Sequence, residues 1–254
     1  MTNSMRSDSA WREKVVLAYI EEPPFGWTDG HASATGSDIE LAGEILCSIG
    51  VQTIEHRQTT FAELLPGVEN GRWDINVPLF VTPERAARVD FSLPVWALHD
   101  GFLVRTGNPK SLTGYHALAR HDDARLGVIT GQVQHDAARR AGVPDARIQQ
   151  FNEQQQALDA LLGGRIDAYA STALGNRTLA QRAGNGALSA VPHDPQAATA
   201  DSPPKGAFSF SRANTSLREA FDRQLRRYLG SPDHRLRMTR YGFTAAEINP
   251  VAGG

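Results

Sequence analysis

The chain has 254 residues, of which 41% are apolar and 21% charged, a balance that excludes a disordered or fibrous protein. Folding at this length buries roughly 75% of the extended chain's surface, enough for one large core or two smaller ones. With 26 Lys and Arg against 28 Asp and Glu the formal net charge is -2, so no uniformly positive surface exists to attract phosphate backbones, and nucleic acid is not an expected partner.

Met1 to Lys14 holds no apolar run that could form a signal-peptide core, so the chain as given is expected to be soluble and to carry no export address. No later stretch approaches the ~20 apolar residues of a membrane span. The first strand is Val15 to Ile20, stopped by Glu21, Glu22, Pro23 and Pro24, because proline cannot donate to a sheet ladder. A loop runs through Gly36. From Asp38 to Ile49, apolar Ile39, Ala42, Ile45, Leu46 and Ile49 recur at helical spacing, and Gly50 supplies the left-handed stop. Cys47 is the only cysteine, which rules out a disulfide and a sulfur-based metal cage.

Thr60 and Glu63 have the spacing of a capping box, which predicts a helix that opens at Phe61 and ends at Gly71. Trp73 to Phe80 reads as a strand broken by Pro78. Thr82, Pro83, Glu84 and Arg85 read as an N-cap, a proline at the first position and a short helix. Phe91 to Arg105 is largely apolar and strand-like, Asn108 to Arg125 is polar and loop-rich, and Leu126 to Thr130 starts a second strand series followed by a helix ending near Gly142. Beyond Ala173 come a helix, a turn-rich stretch from His193 to Pro204, a strand at Gly206 to Ser211 and a helix at Leu217 to Tyr228. The segment from Gly230 to Gly254 is expected to pack on structure already built.

The most informative pattern is internal. Gly50-Val51 recurs as Gly142-Val143, and Gly71-Arg72-Trp73-Asp74-Ile75 recurs as Gly164-Arg165-Ile166-Asp167-Ala168; 142 minus 50 is 92 and 164 minus 71 is 93. Each copy runs strand, helix, Gly-Val, strand, helix, Gly-Arg-x-Asp, strand, an α/β order that favours parallel strands with crossover helices in two similar lobes. Chance recurrence of common turn chemistry is the competing explanation.

Catalytic signatures are absent. The sequence holds no His-Glu-x-x-His, Gly-x-Ser-x-Gly, phosphate-loop or dinucleotide fingerprint, and its eight histidines are scattered, so neither a metal nor a cofactor is implied. Arg223, Arg226, Arg227, Arg235, Arg237 and Arg240 read as a solvated helix face. What does stand out is the placing of Phe25, Phe61 and Phe80 at strand ends or helix starts, the edge where open α/β sheets bind ligands. Aromatic faces attract a cation, and Arg85 beside them has the fork geometry to clamp a carboxylate, a combination suited to a small zwitterion. On the residues alone, each Phe reads first as ordinary core, and Arg85 reads equally as one half of a structural ion pair.

Glu22-Pro23-Pro24-Phe25, Gly36 to Leu41, Phe61 to Gly71, Asp74 and Thr82-Pro83-Glu84-Arg85, with Asp90-Phe91-Ser92 and Pro94, resemble the polar amino-acid family of ABC-transporter solute-binding proteins over about Val15 to Phe243. The resemblance implies an α/β, two-lobed periplasmic-binding-protein fold of type II. Each lobe is then a mostly parallel sheet flanked by helices, with the ligand in the cleft. It implies lobe 1 at 12–103 with 198–254, lobe 2 at 104–197, and hinges near 101–105 and 197–205. Within the family the likeness is greatest to binding proteins for ectoine and hydroxyectoine. By that likeness Glu22 accepts from ring N–H groups, Phe25, Phe61 and Phe80 box the cationic ring, and Arg85 holds the carboxylate.

The family's Gly-Thr turn, which receives the carboxylate, appears as Gly131, Gln132 and Val133, and Pro78 replaces a usual glycine. Thr172 stands where amino-acid binders place a carboxylate for the α-ammonium, which disfavours an ordinary α-amino acid, because an unpaired buried charge is costly. The implied protein is a non-enzymatic receptor of an ABC importer, a monomer with no cofactor that hands a small zwitterion to permease membrane subunits in the periplasm or another extracytoplasmic space. A cyclohexadienyl-dehydratase-like enzyme and a ligand-sensing module are the alternatives on the same fold.

Overall fold

A computed structural model describes residues 10–184, 186–193 and 203–252. Strand β1 (Lys14–Tyr19) is buried beyond its first residue, as its unbroken VVLAY run requires of a central parallel strand. A small hairpin of β2 (Trp27–Thr28) and β3 (Ala34–Thr35) leads into α1 (Ser37–Ser48), then β4 (Thr53–Gln58), α2 (Phe61–Glu69), β5 (Ile75–Phe80) and the single turn α3 (Pro83–Ala86). The apolar stretch that follows is not one strand but three: β6 (Asp90–Phe91), β7 (Trp96–Ala97) and β8 (Asp100–Arg105). The loop-rich segment after it contains a short helix, α4 (Tyr115–Arg120), and the second series is β9 (Leu126–Ile129), α5 (Gln134–Arg140), β10 (Ile148–Phe151), α6 (Gln154–Leu162), β11 (Ala168–Thr172), α7 (Ala173–Ala183) and β12 (Leu188–Pro192). The chain closes with β13 (Lys205–Phe210), α8 (Thr215–Tyr228), α9 (Pro232–Arg240) and α10 (Ala245–Ile248).

These strands make two main sheets. The first has the order β4-β1-β5-β13, with β6 and β7 both paired to β13, and the second has the order β10-β9-β11-β8-β12. In the first, β4, β1 and β5 are parallel and β13 is antiparallel to β5; in the second, β10, β9 and β11 are parallel and β8 is antiparallel to β11. The two halves therefore repeat one plan, and the Gly-Val and Gly-Arg-x-Asp recurrences fall at the same points in both. The chain passes from the first sheet to the second between Ala97 and Asp100 and returns between Pro192 and Lys205. The second segment, where a hinge over 197–205 and much of the His193 to Pro204 turn region are expected, lies largely outside the described residues.

One core fills the first half and includes Leu17, Ile45, Leu64, Ile75, Phe208 and Phe221. Two smaller clusters cover the faces of the second sheet, one around Phe102 and Val128, the other around Leu103 and Tyr169. The basic C-terminal helices pack back on α1, where Arg237 pairs with Glu40 at 3.3 Å and Glu44 at 3.1 Å. Arg240 also pairs with Glu40, at 3.1 Å, so these two arginines of α9 are ion-paired. No helix among the described residues is long and apolar enough to cross a membrane, and none of their side chains cluster as a metal site.

Two expectations about local structure need correction. Pro78 does not break its strand: β5 is continuous, and two of its residues, Val77 and Pro78, stand opposite the single Phe208 of β13, so the missing amide falls where the ladder is already interrupted. The capping box at Thr60 does not form either. Its hydroxyl makes no cap bond, and Glu63 instead pairs with Arg72 from the turn after the helix.

Candidate functional site

The loop after β1 is fixed from two directions. The Glu22 N–H donates to Gly26 O at 2.8 Å, closing the loop on itself, and the first free amides of α1, those of Ser37 and Asp38, donate to Pro24 O at 2.9 Å and Phe25 O at 3.0 Å. This close approach requires Gly36. At φ 129° a Cβ there would lie 2.3 Å from Phe25 O. Phe25 is thereby held against Trp96 and Phe243, with ring centroids 5.8 and 6.0 Å away, while Phe80 meets Trp96 edge to face at 5.2 Å. Gly206 serves the same cluster, because the Trp96 indole lies where its side chain would be.

At the end of β5, Thr82 caps α3, and its hydroxyl accepts from the Arg85 N–H at 3.3 Å. The Arg85 side chain turns back toward the strand. It donates to Phe80 O at 2.9 Å and, across to the turn after β9, to Gly131 O at 3.1 Å, with its guanidinium 5.5 Å from the Phe61 ring. A second link joins the halves: Gln132 Nε2 donates to Glu22 Oε1 at 3.0 Å, and the Ser171 hydroxyl reaches the same oxygen at 3.4 Å. Thr172 caps α7, its hydroxyl accepting from Gly175 N at 3.0 Å.

These residues surround a cavity of about 40 Å³ between the two sheets. From the first half it is lined by Glu22, Phe25, Phe61, Phe80 and Arg85, and from the second by Gln132, Val133 and Thr172. Gly131 stands just behind, its carbonyl on Arg85. The two readings left open for the aromatics are both met, since Phe25 and Phe80 belong to the first core and also face this space. Arg85 makes no ion pair among the described residues.

Three lining groups carry no signal in the sequence, namely Trp96, Asp38 and Ser171. Trp96 sits inside an apolar run, Asp38 looks like an ordinary first-turn acid, and Ser171 is one small residue in a buried strand.

The electrostatics follow from the scarcity of water. Burial lowers the pKa of Arg85 to about 10, and only the exposed Glu84 nearby acts to raise it. Burial raises the Glu22 carboxyl, against the hydrogen bonds from Gln132 and Ser171. Asp38, 1% exposed, is pushed well up by burial, with the neighbouring Glu22 adding to the effect. The Gln132 Oε1 is buried with no hydrogen-bond partner, while the Trp96 side chain hydrogen-bonds toward the Asp38 carboxyl. A guanidinium held only by carbonyls and two carboxyls whose charge burial disfavours, set among four aromatic rings, make a site whose charges lack counter-charges. A small molecule bearing both charges would supply them.

The pattern of bacterial extracellular solute-binding proteins, family 3, matches residues 15–235. The chain belongs to this family. Its members are solute-binding proteins that serve ABC transporters, and the family is extracellular by description. The chain is 28% identical over 243 residues to the probable amino-acid ABC transporter periplasmic-binding protein y4tE of Sinorhizobium fredii, covering 94% of this chain and 80% of that protein. Among solved structures, EhuB in complex with hydroxyectoine superposes with a TM-score of 0.84 at 26% identity, over 98% of this chain and 100% of that one. An ancestral amino acid-binding protein, AncCDT-1, described as a precursor of cyclohexadienyl dehydratase, shares the fold with a TM-score of 0.79 at 23% identity, over 92% of this chain and 97% of that one.

Proposed function

We propose that this family member binds a compact zwitterion of the ectoine and hydroxyectoine kind and delivers it, as a monomer outside the cytoplasmic membrane, to a permease. The observation that carries the reading is the convergence of Arg85, Glu22 and the rings of Phe25, Phe61, Phe80 and Trp96 on a closed cavity between the sheets, about one water in size, that widens when the lobes part to admit a ligand. Arg85 takes the carboxylate in place of the Phe80 and Gly131 carbonyls it now holds. The phenylalanines face the delocalised cation, and Glu22 accepts from ring N–H groups. Likeness to the hydroxyectoine-binding EhuB supports the same assignment.

Thr172 has its hydroxyl committed to α7 and no charge to offer an α-ammonium, which supports a ring cation over an ordinary amino acid. The lobes, expected at 12–103 with 198–254 and at 104–197, close on the ligand, with the first boundary moved from 103/104 to between Ala97 and Asp100 because Asp100–Arg105 belongs to the second sheet. Since Asp100–Arg105 is paired on both sides in the second sheet, the first hinge is assigned to the two residues before it, Leu98 and His99. The protein is read as a receptor and not as an enzyme, which the binding proteins of its family support.

Titration calorimetry with ectoine, hydroxyectoine, proline betaine, arginine and glutamine tests the reading. Saturable heat from a cyclic zwitterion and none from the two amino acids is expected. Binding of arginine or glutamine alone, or product formation from prephenate or arogenate, refutes it.

A further inference from the structure

Helix α7 of the second half touches the first half at successive turns. It starts at the first crossing, where the Ala173 N–H donates to His99 O at 2.8 Å, and its Leu174 is buried in the core of the first half. One turn on, Arg177 reaches the C-terminal segment, donating to Glu247 Oε1 of α10 at 2.9 Å and to Gly242 O at 3.4 Å. Near the far end of the helix the Arg182 guanidinium lies over the Trp27 ring, 5.0 Å from its centroid. Trp27 and Arg182 both line a chamber of about 640 Å³ that adjoins the inner cavity at Glu22, Phe61 and Gln132, so their contact bridges the two halves across it.

The partners in the first half are held in place by their own surroundings. The Glu247 carboxylate, only 12% exposed, accepts from the Thr244 N–H at 2.7 Å and from the Thr244 hydroxyl at 3.0 Å. Trp27 sits in the β2–β3 hairpin, where the Thr28 N–H donates to Glu21 Oε1 at 3.0 Å, and its ring meets Tyr241 edge to face at 6.1 Å. The arginines are held otherwise. Among the described residues neither guanidinium pairs with a group of its own half, and Arg182 has no ion pair at all, so each loses its partner when the lobes part. Nine helical steps from Ala173 to Arg182 place the latter about 14 Å along the axis, so a rotation at the crossing moves it furthest.

We propose that Arg177 and Arg182 are positioning residues that clasp the lobes shut from outside the ligand cavity, so that affinity is set in part by side chains that never touch the ligand. The proposal rests on the lobe closure described above and not on the chemistry of the ligand. An ion pair near the surface and an exposed cation–π contact together shift the closed-to-open ratio by ~3- to ~30-fold. Ligand affinity follows the population of the closed form, and so falls by up to the same factor when the clasp is removed.

The test reads closure without any ligand. Spin labels on the native Cys47 of α1 and on Asp159→Cys in α6, both exposed, report the separation of the halves by pulsed electron resonance. The labelled protein is compared with the double variant Arg177→Met, Arg182→Met and with Arg177→Lys, Arg182→Lys, which keeps both charges; circular dichroism confirms that each is folded. Closed distances are expected to dominate in the parent. The methionine pair lowers the closed-to-open ratio by ~3- to ~30-fold, and the lysine pair retains most of it. A parent that is open without ligand overturns the proposal, as does a methionine pair with unchanged distances or an equal loss in both pairs. Calorimetry with ectoine and hydroxyectoine on the same proteins separates the two readings. A shift in distances with no heat from either compound supports the clasp and removes the zwitterion reading, whereas heat with unchanged distances removes the clasp alone.

Discussion

Replacing Arg85 with Met separates the ligand role of this side chain from any structural one. In the unliganded protein the guanidinium is 9% exposed, and its pKa of about 10 corresponds to about 3 kcal/mol of lost hydration. Against that stand two charge-assisted bonds to carbonyls, at 2.9 and 3.1 Å, each contributing about 1.5–3 kcal/mol. At the lower end of that range, about 3 kcal/mol for the pair, the bonds cancel the lost hydration, and methionine fills a similar volume without a charge. Unliganded stability is therefore expected to change by about 1 kcal/mol or less, which for a chain of this size is a melting-temperature shift of ~2–4 °C. Affinity behaves differently. Removing the charged partner of a buried carboxylate costs about 2–5 kcal/mol, so the Kd should rise by a factor of ~30 to ~4,000. Differential scanning fluorimetry with and without ligand reads both effects in one experiment. A fall of ~10 °C in the unliganded melting temperature identifies Arg85 as a strut, and an unchanged Kd removes it as the carboxylate clamp.

The remaining predictions concern the two sides of the cleft. Glu22→Gln should stabilise the unliganded protein at neutral pH: the folded-state pKa is raised above its ordinary 4.5, so ionised Glu22 costs stability above that range, and below pH ~4.5 both states are protonated and the gain disappears. Thermal melts of both proteins from pH 4 to 8 check the sign, and a gain that grows on acidification contradicts it; ligand affinity should fall in the same variant. Thr172→Asp should create binding of ordinary α-amino acids, because aspartate also caps a helix and would add the missing counter-charge for an ammonium. Calorimetry with arginine and glutamine measures this, and a folded variant with no heat refutes the specificity argument.

Much of this architecture is written locally. The repeated Gly-Val and Gly-Arg-x-Asp turns anticipate two sheets with one plan, and Thr82-Pro83 anticipates the turn that aims Arg85, because these signals depend on backbone chemistry within a few residues. Where the reading missed, a distant partner decided the outcome. Glu63 was drawn to Arg72, and Pro78 was accommodated by the spacing of a strand about 130 residues later. Trp96 was invisible for a related reason: only the pairing of its short strand with Gly206 turns an apolar-run tryptophan toward the cleft. The contact of Gln132 with Glu22 exists only once two halves of the chain meet.

The position of β13 sets the order in which this molecule can be assembled. The whole second sheet comes from one uninterrupted stretch, Asp100 to Pro192, and can be completed while the ribosome still holds the last quarter of the chain. The first sheet cannot: β5, β6 and β7 all wait for Lys205–Phe210 to emerge and pair with them. Until then the amino-terminal third presents an unpaired β5 edge, so the later-born lobe matures first and the earlier-born one is the half exposed to aggregation during synthesis.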